Sequence, residues 1–165
     1  MGRAGMAGGE IGSALIASRL VRDIMRLCFL MERTYAPYPK WFGKAFEELK
    51  CAADLSPHLE SVLRSAGWQE RESHLVHAYE LVASMHNKLG ITDERPAKAE
   101  DFFGRPFKVI ELAGGFSKSI VAKIADPEVK RIVDKGLIGN IDQVSDNTDV
   151  VSHAAWRDSA RKFYE

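Results

Sequence analysis

The sequence lacks most of the features that give a function away. Cys28 and Cys51 are its only cysteines, and a lone pair of thiols at this spacing makes neither a paired zinc motif nor a disulfide framework. Net charge is missing too: 23 basic residues balance 23 acidic ones, so no global field draws the chain to nucleic acid or to an anionic membrane. No apolar run approaches the ~20 residues that cross a bilayer. The opening MGRAGMAGGE has one arginine and no apolar stretch, so residues 1–9 read as a flexible leader rather than a signal peptide. Clean apolar–polar alternation and internal repeats are absent as well. What remains is the expectation of a cytoplasmic protein whose electrostatic roles are confined to local clusters, with no cofactor and no metal.

Helical periodicity is what the sequence has in quantity. At 45% hydrophobic and 28% charged residues, the composition suits one globular domain able to bury a core. The pattern predicts helices over about Glu10–Tyr35, Lys40–Leu49, Ser56–Ala66, Trp68–Leu89, Gly115–Ile124 and Asp126–Lys135, and a last one over Asp149–Phe163. Ser56-Pro57 and Asp126-Pro127 read as start signals, and Gly90 as a stop. FKVI is the one candidate extended piece, near 105–110. The expected architecture is all-α, a single-domain bundle of six or seven helices over residues 10–165.

The first long helix carries the sharpest signal. Ile16, Leu20, Val21, Ile24, Leu27, Cys28 and Met31 share an apolar face at 100° per residue. Opposite them Arg19, Arg22, Arg26 and Arg33 fall in one arc with Leu15, Phe29 and Leu30. A solvated outer face is the ordinary explanation. Against it, the arc holds no acid, and Arg22 and Arg26 form a like-charge i,i+4 pair that weakens an isolated helix. Guanidinium groups among apolar side chains suit an interface or a phosphate-bearing ligand. The helix leads into YAPYPKW, where Pro37 and Pro39 forbid helix and hold the chain extended. Tyr35, Tyr38, Lys40 and Trp41 therefore stand on a stiff corner, either anchoring the core or forming the lip of a cleft.

These residues resemble a known family. RLVRDIMRLCFLMERTYAPYPKWFGKAF, LVASMHNKLGIT, RPFKVIE and LIGNIDQVSDNTDV are similar to the C-terminal helical region of an uncharacterised bacterial family, in which that region follows a nucleotidyltransferase-like domain. The similarity runs from about Ile11 to Val151. The resemblance implies a companion domain with a Gly-Ser pair and magnesium-binding carboxylates. Here the only Gly-Ser pair is Gly12-Ser13, with no paired carboxylates after it, so nucleotidyl transfer has no evident chemistry in this chain. By analogy the helical part would cover a nucleotide cleft, as a free-standing half or as a piece of a longer protein.

Other constellations carry less. His86 shares a stripe with Leu75, Tyr79, Val82 and Leu89 and reads as a satisfied core histidine; the resemblance leaves a general-base or hydrogen-bonding role open for His86 and Asn87. Glu70, His74 and His77 share a helical stripe but lack a fourth ligand, so no metal site is read. Arg71 and His77 match the loose Arg/His spacing of helical ribonucleases that pair with small nucleotidyltransferase antitoxins, although they sit about 120° apart on the wheel. NIDQVSDNTD lacks the glycine and glutamate of a calcium loop; helix capping by Asp146 or Thr148 is the ordinary explanation, and the resemblance leaves Asp142, Gln143 and Asp146 to face a substrate or bond to the arginine arc. AGGFSKS lacks the residue order of a phosphate loop.

Three functions follow as expectations. The first is a non-catalytic helical domain binding a nucleotide, a phosphorylated small molecule or a nucleotidyltransferase-like partner through the arginine arc and the aromatic corner. The second is a ribonuclease using Arg71 and His77. The third is a helical oligomer in which the arc meets a second copy.

Overall fold

The computed structural model describes residues 1–134. In chain order they form α1 (Gly2–Met6), α2 (Glu10–Met31), α3 (Pro39–Phe46), α4 (Ala52–Arg64) and α5 (Trp68–Leu89). Then come β1 (Ala99–Asp101), β2 (Lys108–Ile110), α6 (Gly115–Lys123) and α7 (Pro127–Val133). Helices dominate, as the periodicity implies, and β2 falls where FKVI was expected to extend. Met1–Lys123 make one compact unit and a second begins at Ile124.

The core of the first unit lies where α2, α4 and α5 meet. Ala17, Val21, Ile24 and Cys28 of α2 face Leu55, Leu59 and Val62 of α4 and Leu75, Ala78 and Val82 of α5. Each set repeats at three- and four-residue steps, the spacing that stacks side chains on one helix face. Each fully buried leucine here stabilises the fold by roughly 1.5–3 kcal/mol. The buried face of α2 is rotated from the expected one, by about 45° at 100° per residue. Ser13, Ala17 and Phe29 turn inward, while Ile16 and Leu27 are left partly exposed. Small side chains at Ser13 and Ala17 let α2 approach α5 closely, and the rings of Phe42 and Phe46 close over Phe29, with centroids 5.4 and 6.4 Å away.

Three local expectations give way to tertiary contacts. Residues 2–6 are helical rather than a flexible leader: Gly2 and Gly5 are buried, and a Cβ on Gly5 would stand 2.4 Å from Trp68. Only glycine permits that approach. α2 stops at Met31, not Tyr35. The Thr34 N–H bonds to the Phe29 carbonyl and the Arg33 N–H to the Leu30 carbonyl, at 2.9 and 3.1 Å, with Arg33 at φ 54°. This is a Schellman ending with arginine in the position that usually takes glycine. α4 starts at Ala52, so Ser56-Pro57 is not its start; Pro57 lies inside the helix with its ring side exposed.

The reason for the early start lies on α2. The Glu32 carboxylate accepts the Lys50 and Cys51 N–H groups, both at 2.9 Å, and so caps α4 from another helix. At the other end of α2, Glu10 does the same for α5, accepting the Trp68 N–H at 3.3 Å. α2 is thus a beam with a capping carboxylate at each end. α5 closes at Gly90, whose φ of 63° is left-handed, as its sequence predicts. The antiparallel hairpin hangs on α5 through Glu80, which accepts the Ala99 N–H at 3.0 Å, and Glu72, which accepts the Lys108 N–H at 3.2 Å. In the second unit, Asp126 caps α7 by accepting the Glu128 and Val129 N–H groups at 2.8 and 3.0 Å, so that start signal holds.

Candidate functional site

The outer face of α2 combines exposed aliphatic side chains with partly buried arginines. Ile11, Leu15 and Leu30 are 82%, 64% and 74% exposed. At 100° per residue they share an arc of about 100° with Arg19, Arg22 and Arg26. None of these three arginines is without an interaction partner. Arg33 leaves the arc, because the Schellman ending swings it off the helix; the stripe holds three arginines rather than four. Phe29 leaves it as well, rotated into the core.

The corner follows α2 in the chain. Tyr35 is 88% exposed, Tyr38 and Trp41 are also open to solvent, and the Lys40 ammonium lies 5.2 Å from the centre of the Trp41 ring. Tyr38 has φ −64° and ψ 163°, the extended backbone that Pro39 imposes on its predecessor. The core is closed here by Phe42 and Phe46, so the other three rings are available as a surface. Single exposed apolar residues are ordinary; here three lie in one arc of α2 and three exposed rings follow it in the chain.

Arg71 and His77 are not brought together. Arg71 is 3% exposed. Its guanidinium bonds to Glu10 at 3.2 Å, the Ser13 hydroxyl at 2.9 Å and the Ser65 carbonyl at 3.0 Å. A buried, triply held guanidinium fastens α2 to α5 and presents no donor edge to a phosphodiester. His77 sits on an exposed part of α5, bonding through Nδ1 to the Ser73 carbonyl at 2.7 Å, and its ring stacks on His58 of α4 at 5.0 Å. His74 lies 6.4 Å from His58. Burial, then the charges of His77 and His74, push the His58 pKa down. Among the described residues no group of three histidine, cysteine or acidic side chains is set to hold a metal ion.

His86 and Asn87 hold the segment that follows α5. The His86 ring bonds to the Thr92 hydroxyl at 2.9 Å and meets Phe116 edge-on at 5.0 Å; burial lowers its pKa. Asn87 clamps Arg95 from both sides, accepting its N–H at 3.0 Å and donating to its carbonyl at 2.7 Å. Asp142 and Asp146 lie outside the described residues. Cys28 and Cys51 are buried and free, and burial raises Cys28 to about 11, which makes it an inert thiol. Reading the sequence missed both capping carboxylates on α2 and the place of His58, because each depends on a residue from another helix.

A family model described as a domain of unknown function, DUF4037, matches residues 1–42, which hold α1, α2 and the corner as far as Phe42. The chain is therefore similar, over its candidate face, to an uncharacterised domain. No curated protein and no solved structure matches it. Among the described residues no helix is long and apolar enough to cross a membrane.

Proposed function

We propose that this chain is a non-catalytic docking domain whose α2 face and Tyr35–Trp41 corner seat a companion protein domain. One observation carries the reading: Ile11, Leu15 and Leu30 are exposed along one face of α2, and the exposed rings of Tyr35, Tyr38 and Trp41 follow them. Their burial against a partner supplies the driving force. The sequence resemblance supplies the partner class, a nucleotidyltransferase-like domain in a bacterial cytoplasm. An anionic small molecule is the weaker alternative, because Arg19, Arg22 and Arg26 are already engaged. The buried setting of Arg71 likewise weighs against a ribonuclease.

A photo-crosslinking amino acid placed in turn at Leu15, Leu30 and Tyr38, with Glu60 on α4 as control, tests this in cells of the native host. The expected result is one common protein crosslinked from all three face positions and not from Glu60, with the Tyr38 crosslink lost in Leu15→Asp/Leu30→Asp. Crosslinks only to a second copy would replace the companion with a homo-oligomer. A melting-temperature rise with nucleotides that disappears in Arg22→Ala/Arg26→Ala, without any crosslink, would overturn docking in favour of an anion site.

A further inference from the structure

A cavity of about 460 Å³ opens between the end of α2, the start of α4 and the C-terminal half of α5. Met31, Leu55, Leu81, Met85 and Leu89 give it an apolar lining. Leu55 is fully buried and Leu89 is 39% exposed, so this lining runs from the core out to solvent. A hollow of this size, apolar inside with a few polar groups, has the character of a small-molecule site, and its two methionines can reshape around different chains.

The charged groups around it are unequal in what they still offer. Glu32 is committed, both of its oxygens accepting α4's first amides. Burial alone would raise its pKa, but those hydrogen bonds, with the Cys51 thiol and the Lys50 charge, hold it below the usual range. Asp54 occupies the first turn of α4, where the helix dipole favours its charge. Lys50 and Lys88 are exposed on long stems that can bend over a head group. The Cys51 thiol also lines the hollow, but burial raises its pKa first of all, so it supplies no thiolate for covalent chemistry.

We propose that this cavity binds an amphipathic carboxylate of medium chain length, a fatty-acid-like ligand lying along the Met31–Leu89 lining with its carboxylate against Lys50 and Lys88. This site is independent of the docking face. Calorimetric titration with dodecanoate below its micellar concentration tests it, with dodecyltrimethylammonium and dodecanol as controls. The anion is expected to bind about ten-fold or more tightly than the cation. Lys50→Gln/Lys88→Gln should remove that preference, with only a small fall in melting temperature from the lost attraction between Lys50 and Glu32. Ser84→Trp, at a cavity position where the hydroxyl bonds back to the Glu80 carbonyl of its own helix, should abolish binding by filling the space. If Ser84→Trp fails to fold, the exposed lysine pair still decides the matter. No dodecanoate binding, equal binding of the cation, or binding indifferent to the lysines would each overturn the proposal.

Discussion

The two faces of α2 both meet arginine, one from α5 and one its own, and come to opposite ends. Inside, α2 receives the buried guanidinium of Arg71 from α5, with Glu10 and Ser13 of α2 and the Ser65 carbonyl as its partners. Outside, Leu15 and Leu30 flank Arg19, Arg22 and Arg26, and the aliphatic groups stay open to solvent. The difference is geometric. α4 and α5 close over one face and bring complementary partners with them. On the other face the described residues leave the apolar side chains uncovered. An arginine among leucines is a fastener when a second helix arrives with a carboxylate, and part of an interface when the covering surface belongs to another molecule.

The sharpest way to break this contrast is to shorten one leucine on each side. Leu75→Ala should cost about 2–5 kcal/mol of stability, read by chemical denaturation, because it leaves a cavity in a packed core. Leu15→Ala should change stability by no more than about 0.5 kcal/mol. A large loss at Leu15 would mean that the outer face is packed within the chain itself, and the docking proposal would fail.

The next effect comes from the capping carboxylates. Glu10→Ala removes the one acidic partner that the buried Arg71 guanidinium has among the described residues, together with the cap of α5. It should cost about 2–3 kcal/mol, below the full penalty for a buried pair because Glu10 is itself partly exposed. Glu32→Ala loses a cap without stranding a buried charge and should cost about 1–2 kcal/mol. Equal losses would show that the burial of Arg71 adds nothing to the importance of its partner.

The smallest expected effect is on pH. His58 and His86 both have lowered pKa values in the folded chain, so the folded state binds fewer protons than the unfolded one just below the ordinary histidine pKa of about 6.5. Their contribution to stability is therefore complete above that value and is lost as pH falls through it toward the lowered folded values. Melting temperature should decline between pH 7 and pH 5, and less steeply in His58→Gln and in His86→Gln. A slope unchanged in both variants would remove these histidines as its cause.

Local chemistry announced much of this fold. Repeats of three and four residues mark the long helices, Gly90 ends α5, and Asp126-Pro127 opens α7. Pro37 and Pro39 presented the corner, since proline's fixed geometry acts wherever the chain goes. Where the reading failed, a distant residue had replaced a nearby one. Glu32 started α4 ahead of Ser56-Pro57, a Schellman turn at Arg33 ended α2 early, and Trp68 and Phe107 gave residues 2–6 a surface on which to fold. The candidate face was legible as an arc and corrected in its members, because a rotation of about 45° decides whether Phe29 or Leu30 meets solvent. By itself, then, the sequence determined which segments are helical and which carry charge, since periodicity and proline act within a few residues. Tertiary structure alone decided which arginine became a buried fastener and where a cavity remained, because these depend on how helices distant in sequence meet.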